Sequence, residues 1–101
     1  MTRPNPDALL TLDEAADLVG RSAIALVDAL SDKPRRLAEL LTGAGTTRGL
    51  TKQARLAANA YRSACRRVRT AGLAWIVPDQ IEGALSYAGL DDLYLVERQA
   101  A

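Results

Sequence analysis

Residues 51–72, TKQARLAANAYRSACRRVRTAG, predict a long amphipathic helix, and this helix decides the fold class of the chain. The Thr51 hydroxyl can cap its first turn, and Gly72 can take the left-handed conformation in which helices commonly end. At about 100° per residue, one face of the helix is apolar and consists of Ala57, Tyr61, Ala64, Val68 and Ala71. We therefore expect a mainly α-helical protein whose core receives this face.

A second face of the same helix is basic. From Lys52 to Arg69 the chain has six basic residues and no acid, whereas an ordinary solvated helix face mixes both signs. We call the five that share this face the basic stripe: Lys52, Arg55, Arg62, Arg66 and Arg69. Cations held along one rigid face can neutralise a phosphate backbone, and the planar arginine fork binds two oxygens. The basic stripe therefore predicts contact with nucleic acid.

Neighbouring polar residues extend this predicted surface, and they are Arg48, Asn59 and Arg67. An acidic protein surface is an alternative partner for the same charges. The stripe could dock the acidic pair Asp91 and Asp92 of this chain, or the carboxylates of another protein. The formal net charge of the whole chain is only +1, so any electrostatic preference must come from this local patch.

The length of 101 residues fits a single domain. We expect four parts in it: an extended lead-in at 1–10, a helical corner at 11–41, a glycine-rich loop at 42–50, and the long basic helix with the C-terminal elements at 51–101. Together these parts predict a compact bundle of about five short helices.

In the helical corner, capping signals place the ends of the first two helices. Thr11 and Glu14 have the spacing of a capping box, so the first helix starts just after Thr11. Gly20 is positioned to end that helix, and Ser22 to cap a second one over 22–30.

A third helix follows, with Ser31 or Asp32 as its cap and Pro34 in its first turn, where a missing N–H does no harm. Its inner face consists of Leu37, Leu40 and Leu41. The glycines of the next segment, at 43, 45 and 49, are typical of a linker. The alternative is a phosphate-holding turn with Arg48, Thr51 and Lys52, but the sequence lacks the Gly-Lys-Ser/Thr ending of a P-loop.

Two short apolar runs, 73–77 and 93–97, are ambiguous in their secondary structure. The first is bounded by Gly72 and Pro78, so a buried strand or a connector is as suitable as a helix. If both runs are strands, they form a small two-stranded β element. Between them, Pro78 opens a helix that Gly89 closes.

Residues 12–30, LDEAADLVGRSAIALVDAL, resemble the helix-turn-helix of bacterial and phage DNA-binding domains. The resemblance depends on a small residue at Ala16, Gly20 in the turn, Ser22 at the start of the next helix and Leu26 directed inward. It implies a DNA-binding regulator.

The positions that this resemblance directs toward the bases do not carry base-reading side chains. They are Ala23, Ile24, Val27 and Asp28, with no Arg, Lys, Asn or Gln among them. If Ile24 and Val27 project outward, they form an apolar spot suited to a protein contact. We therefore predict self-association or partner binding through this helix, and a homo-oligomer.

The residue inventory argues against an enzyme. The chain has no histidine, so Ser-His and Cys-His nucleophiles and imidazole metal sites are excluded. Its lone cysteine, Cys65, borders the apolar face beside Val68, and we expect a mostly buried, slowly reacting thiol. We predict no cofactor and no metal.

A lone cysteine also favours a reducing compartment, and no apolar run approaches the length of a membrane span. We therefore expect a cytoplasmic protein without a membrane partner. The function predicted from these residues is that of a small regulatory or accessory protein that contacts phosphates through its basic helix. The alternative is a protein-interaction or assembly module, of a phage-related kind, that does not bind nucleic acid.

Overall fold

The computed structural model describes residues 10–87 and Gly89, and helices make up most of this range. There are four: α1 (Leu12–Ala29), α2 (Pro34–Leu41), α3 (Lys52–Thr70) and α4 (Val77–Tyr87), with one 3₁₀ turn at Ala74–Ile76. This part of the chain contains no strand. The predicted α class is confirmed; the described residues form four helices, so the predicted number of about five is not confirmed. Residues 1–9 of the predicted lead-in at 1–10 lie outside the described residues.

The start of α1 has the predicted capping box. The Thr11 hydroxyl accepts a hydrogen bond from the Glu14 amide at 3.1 Å, and the Glu14 carboxylate accepts one from the Thr11 amide at 3.1 Å. These two bonds satisfy donors that a helix N-terminus otherwise leaves without partners.

The predicted turn at Gly20 is wrong, because α1 continues through this residue to Ala29. An unbroken helix places one set of apolar side chains on a single buried face: Ala15, Val19, Ala23, Leu26 and Val27. Burying that face outweighs the cost of roughly 1 kcal/mol for a glycine inside a helix. The resemblance of 12–30 to helix-turn-helix domains thus lacks the turn on which it depends.

Gly20 faces the side chain of Gln80 on α4. A Cβ atom added at Gly20 would lie 2.9 Å from the Gln80 side-chain oxygen. Ser22, the predicted cap, lies inside α1 and donates its hydroxyl to the Leu18 carbonyl at 2.7 Å. Both residues are therefore interior positions of one helix.

The predicted apolar spot at Ile24 and Val27 is also wrong. Val27 is 1% exposed and belongs to the core, and Ile24 is half-buried and packs against that core. The error follows from the turn: without a break at Gly20, the helix rotates Val27 inward. Val27 offers no surface for self-association.

Pro34 lies in the first turn of α2 as predicted, but the helix starts at Pro34 itself, with Lys33 as its N-cap residue and no side chain that caps it. The predicted cap at Ser31 or Asp32 is therefore wrong. Its three inner leucines, at 37, 40 and 41, are buried as predicted.

Helix α3 agrees closely with its sequence signals. The Thr51 hydroxyl accepts from the Ala54 amide at 3.1 Å, and Gly72 has a φ of 78° just after the helix. Its buried face, which packs mainly on α1, consists of Ala54, Ala58, Tyr61, Ala64 and Val68. The predicted members Ala57 and Ala71 are half-buried at its edge.

The run 73–77 is not a strand. It forms the 3₁₀ turn and the first residue of α4, so the connector interpretation is the correct one. Pro78 lies in the first turn of α4, and Gly89, predicted to close this helix, has a φ of 73° two residues after its end. The second run, 93–97, lies outside the described residues.

Replacing Gly20 by Ala tests whether α1 is continuous. At a turn position with positive φ, replacing glycine by alanine lowers the stability by about 1 kcal/mol, and we expect this loss for Gly72→Ala. In a helix interior alanine is favoured by about 0.5–1 kcal/mol, and Gly83→Ala in α4 should show this full gain because nothing lies within 4 Å of its added Cβ. Urea unfolding of the three variants measures the differences.

The Gln80 contact requires a control, since a clash there would lower the stability of Gly20→Ala. Adding Gly20→Ala to a Gln80→Ala background removes the clash, and we expect a gain close to that of Gly83→Ala. A loss similar to that of Gly72→Ala in this background would contradict the continuous helix.

Candidate functional site

The basic stripe lies on the solvent side of α3. All five of its members are exposed, as is Asn59 within the same arc of the helix. This placement follows from the packing, because the alanine-rich face of α3 is buried against α1. From Lys52 to Arg69 the stripe extends over about 25 Å of helix axis, at about 1.5 Å per residue.

Most cations of the stripe are not neutralised by an acidic side chain of the described residues. Within the described part of the chain, Lys52, Arg55, Arg66 and Arg69 form no salt bridge, in contrast to Arg21, which contacts Asp17 on α1 at 3.0 Å. A cation without an acidic neighbour keeps its full attraction for an external anion. The stripe can therefore contact a polyanion without first breaking an ion pair within these residues.

Arg67 lies apart from the stripe, although the sequence groups it with the other basic residues. It is half-buried on the side of α3 that faces α1 and lines a shallow depression with Glu14 and Asp17. Hydrogen bonds with Thr11 lower the pKa of Glu14, and the positive charge of Arg67 lowers it further. The structure thus places Arg67 with the acids of α1.

The loop between α2 and α3 is tied to both helices by arginines. Arg62 of the stripe donates to the Gly45 carbonyl at 2.5 Å. Arg36 of α2 donates to the Thr46 carbonyl at 3.0 Å and also to the Arg48 carbonyl. The loop is therefore an anchored segment and not the free linker that its glycines indicate, and the side chain of Arg48 within it is exposed.

A groove of about 530 Å³ lies beside the stripe. It forms where the end of α2, the C-terminal half of α3 and the start of α4 meet. Arg62 and Arg69 line it together with apolar side chains, which include Leu40, Leu41, Tyr61, Val77 and Ile81. Sequence reasoning missed this groove and the role of Arg36, because both depend on how α2 meets the other helices. No spacing within one helix signals either of them.

Tyr61 and Cys65 form the buried side of this groove. Tyr61 is 2% exposed and donates its hydroxyl to the Leu41 carbonyl at 2.5 Å, which fastens the end of α2 to α3. Cys65 borders the core as predicted but is only half-buried, because it lines the groove. Burial raises the pKa of the Cys65 thiol, while the Tyr61 hydrogen bond and the charge of Arg69 oppose the rise.

Alkylation of Cys65 should be several-fold slower in the folded protein than in the unfolded chain. A raised pKa means that less of the thiol is ionised at a given pH, and only the thiolate is strongly nucleophilic. Iodoacetamide rates measured across mildly alkaline pH, with and without urea, should show a higher midpoint for the folded protein. Equal rates and midpoints would show that this side of α3 is open.

The two central arginines of the stripe should differ in their effect on stability. Arg62→Gln removes the hydrogen bond to Gly45 and should cost about 0.5–1 kcal/mol. Arg66→Gln removes the same charge from a side chain without such a bond, and we expect a change within about 0.5 kcal/mol. Thermal unfolding of the two variants at one salt concentration compares their stabilities. Equal stabilities would show that the Arg62 hydrogen bond does not stabilise the fold.

Two other kinds of feature, a metal centre and a membrane span, find no support in the described part of the chain. Among residues 10–87 and Gly89, no group of three or more cysteine or acidic side chains is arranged to hold a metal ion. No helix within this range is long and apolar enough to cross a membrane.

No protein-family model matches the chain, and no curated protein or solved structure matches it either.

Proposed function

We propose that this protein binds nucleic acid through the basic stripe and acts as a small regulatory or accessory factor. The observation that supports this proposal is that five exposed cations follow one face of a single 19-residue helix with no acid among them. Electrostatic contact with phosphates supplies most of the affinity in such binding.

The shape of the stripe favours a phosphate chain over a single small anion. Successive cations are 3, 7, 4 and 3 residues apart, which corresponds to about 4.5–10.5 Å along the helix axis. A single phosphate would contact one or two of them, whereas a nucleic-acid backbone can contact all five. Asn59 in the same arc can donate an amide hydrogen bond to a phosphate or sugar oxygen.

The rigidity of α3 supports the same proposal. One whole face of this helix is buried, so the backbone positions that carry its cations are fixed relative to one another before any ligand arrives. A preorganised backbone reduces the conformational entropy lost on binding, so that only the side chains have to be ordered. Contacts of this type position a protein on nucleic acid without reading its sequence, so we expect little base specificity from the stripe itself.

A protein partner is the second candidate, and the groove favours it. Its apolar lining lies beside Arg62 and Arg69, an arrangement that suits an apolar segment flanked by carboxylates. In this case the protein is an interaction or assembly module, and the stripe serves for docking to an acidic surface.

Charge removal at Arg55 and Arg66 tests the proposed function. Both side chains are exposed, and the described loop is anchored by Arg36 and Arg62 instead, so Arg55→Gln/Arg66→Gln should fold normally and remove two phosphate contacts. We expect the log-affinity against log-salt slope to fall by about 0.9 per charge on duplex DNA and about 0.7 on a single strand. Fluorescence anisotropy of labelled oligonucleotides at several salt concentrations measures the slope.

Arg21→Gln is the matched control for the single variant Arg66→Gln, since it removes one positive charge from α1, away from the stripe. It should leave the slope unchanged. The nucleic-acid proposal fails if the parent does not bind at low salt, or if the Arg55→Gln/Arg66→Gln variant keeps the slope of the parent. If the parent then binds acidic peptides and the Arg55→Gln/Arg66→Gln variant does not, this result would support the docking alternative.

A further inference from the structure

The 3₁₀ turn exposes a large aromatic side chain to solvent. Trp75 is the only tryptophan of the chain and is 64% exposed. Its neighbour Ile76 is 4% exposed and belongs to the core, and the Ile76 amide donates to the Leu73 carbonyl at 3.1 Å. The indole therefore projects from an anchored backbone, and its exposure does not result from a loose segment.

Trp75 lies directly beyond the C-terminal end of the basic stripe. Arg69 is the last cation of the stripe, and the Leu73 amide donates to the Val68 carbonyl at 2.9 Å, which holds the turn against the last turn of α3. Ala74, adjacent to Trp75, lines the same groove as Arg62 and Arg69. The chain thus places an exposed tryptophan six positions after the last cation of the stripe, on a turn that is hydrogen-bonded to the end of α3.

We propose that Trp75 is a stacking platform for an unpaired base, and that the stripe and Trp75 together bind single-stranded nucleic acid in preference to duplex. The inference rests on the proposed function and adds the class of ligand. Proteins that hold single strands combine a cationic track for the backbone with aromatic side chains on which bases stack. In a duplex the bases are already stacked inside, so the indole finds no base face and only the phosphate contacts remain.

Because Trp75 is the only tryptophan, its fluorescence reports the contact directly. Titration of the parent with an oligothymidylate should quench this fluorescence at low salt, whereas a blunt-ended duplex of two complementary strands at equal phosphate concentration should leave it nearly unchanged. Trp75→Ala should lower the affinity for the single strand by about tenfold or more, as measured by anisotropy of a labelled oligonucleotide. Its affinity for the duplex should stay within about twofold of the parent, since phosphate contacts carry that binding.

Two further variants separate stacking from structural damage. Trp75→Phe keeps an aromatic face and should recover most of the single-strand affinity. Tyr87→Ala is the matched control, since Tyr87 is 68% exposed at the end of α4, and it should bind like the parent. Circular dichroism confirms that each variant is folded.

The outcomes distinguish the two proposals. If the parent binds neither oligonucleotide at low salt, the proposed function fails and this inference fails with it. If the parent binds both and Trp75→Ala binds the single strand as tightly as the parent, the stripe keeps its function and the stacking platform is overturned. An equal loss on single strand and duplex would also overturn it, since that pattern indicates a general effect on the fold.

Discussion

The close packing of α3 on α1 is the constraint on which the rest of the structure depends. Both helices contribute alanines to their buried faces, including Ala15 and Ala23 on α1 and Ala58 and Ala64 on α3. A methyl side chain lets two backbones approach closely, although each alanine removes little apolar area from water. This contact fixes the rotation of α3 about its own axis, and that rotation decides which side chains face solvent. The basic stripe is exposed because the alanines are buried.

The positions of α2 and of the loop that follows it depend on a few hydrogen bonds from side chains of α3 and α2 to main-chain carbonyls. Helix α2 has only 8 residues, too few to persist alone in water, and the buried Tyr61 hydroxyl holds its last turn through Leu41. Arg62 holds the following loop through Gly45. Arg62 thus belongs to both the fold and the candidate site, so a phosphate bound by its guanidinium competes with a bond that stabilises the loop.

The sequence predicted the elements whose signals are local and repeated. The limits of α3 and the exposure of its stripe follow from one periodic pattern with Thr51 and Gly72 at its ends. The errors occur where a local signal competes with tertiary packing. Gly20 has the chemistry of a helix end, but the burial of a whole face of α1 keeps the helix continuous through it. Arg67 lines a depression with Glu14, an acid 53 positions earlier whose pKa its charge lowers, and no pattern within α3 indicates this neighbour.

The anchoring of the α2–α3 loop has a consequence for how this sequence can diverge. The three anchored acceptors, at Gly45, Thr46 and Arg48, are main-chain carbonyls, a group that every amino acid carries. Side chains at positions such as 46–48 can therefore change without loss of the anchors. An inserted or deleted residue shifts the carbonyls away from Arg36 and Arg62, so we expect homologous loops to vary in residue type while keeping their length.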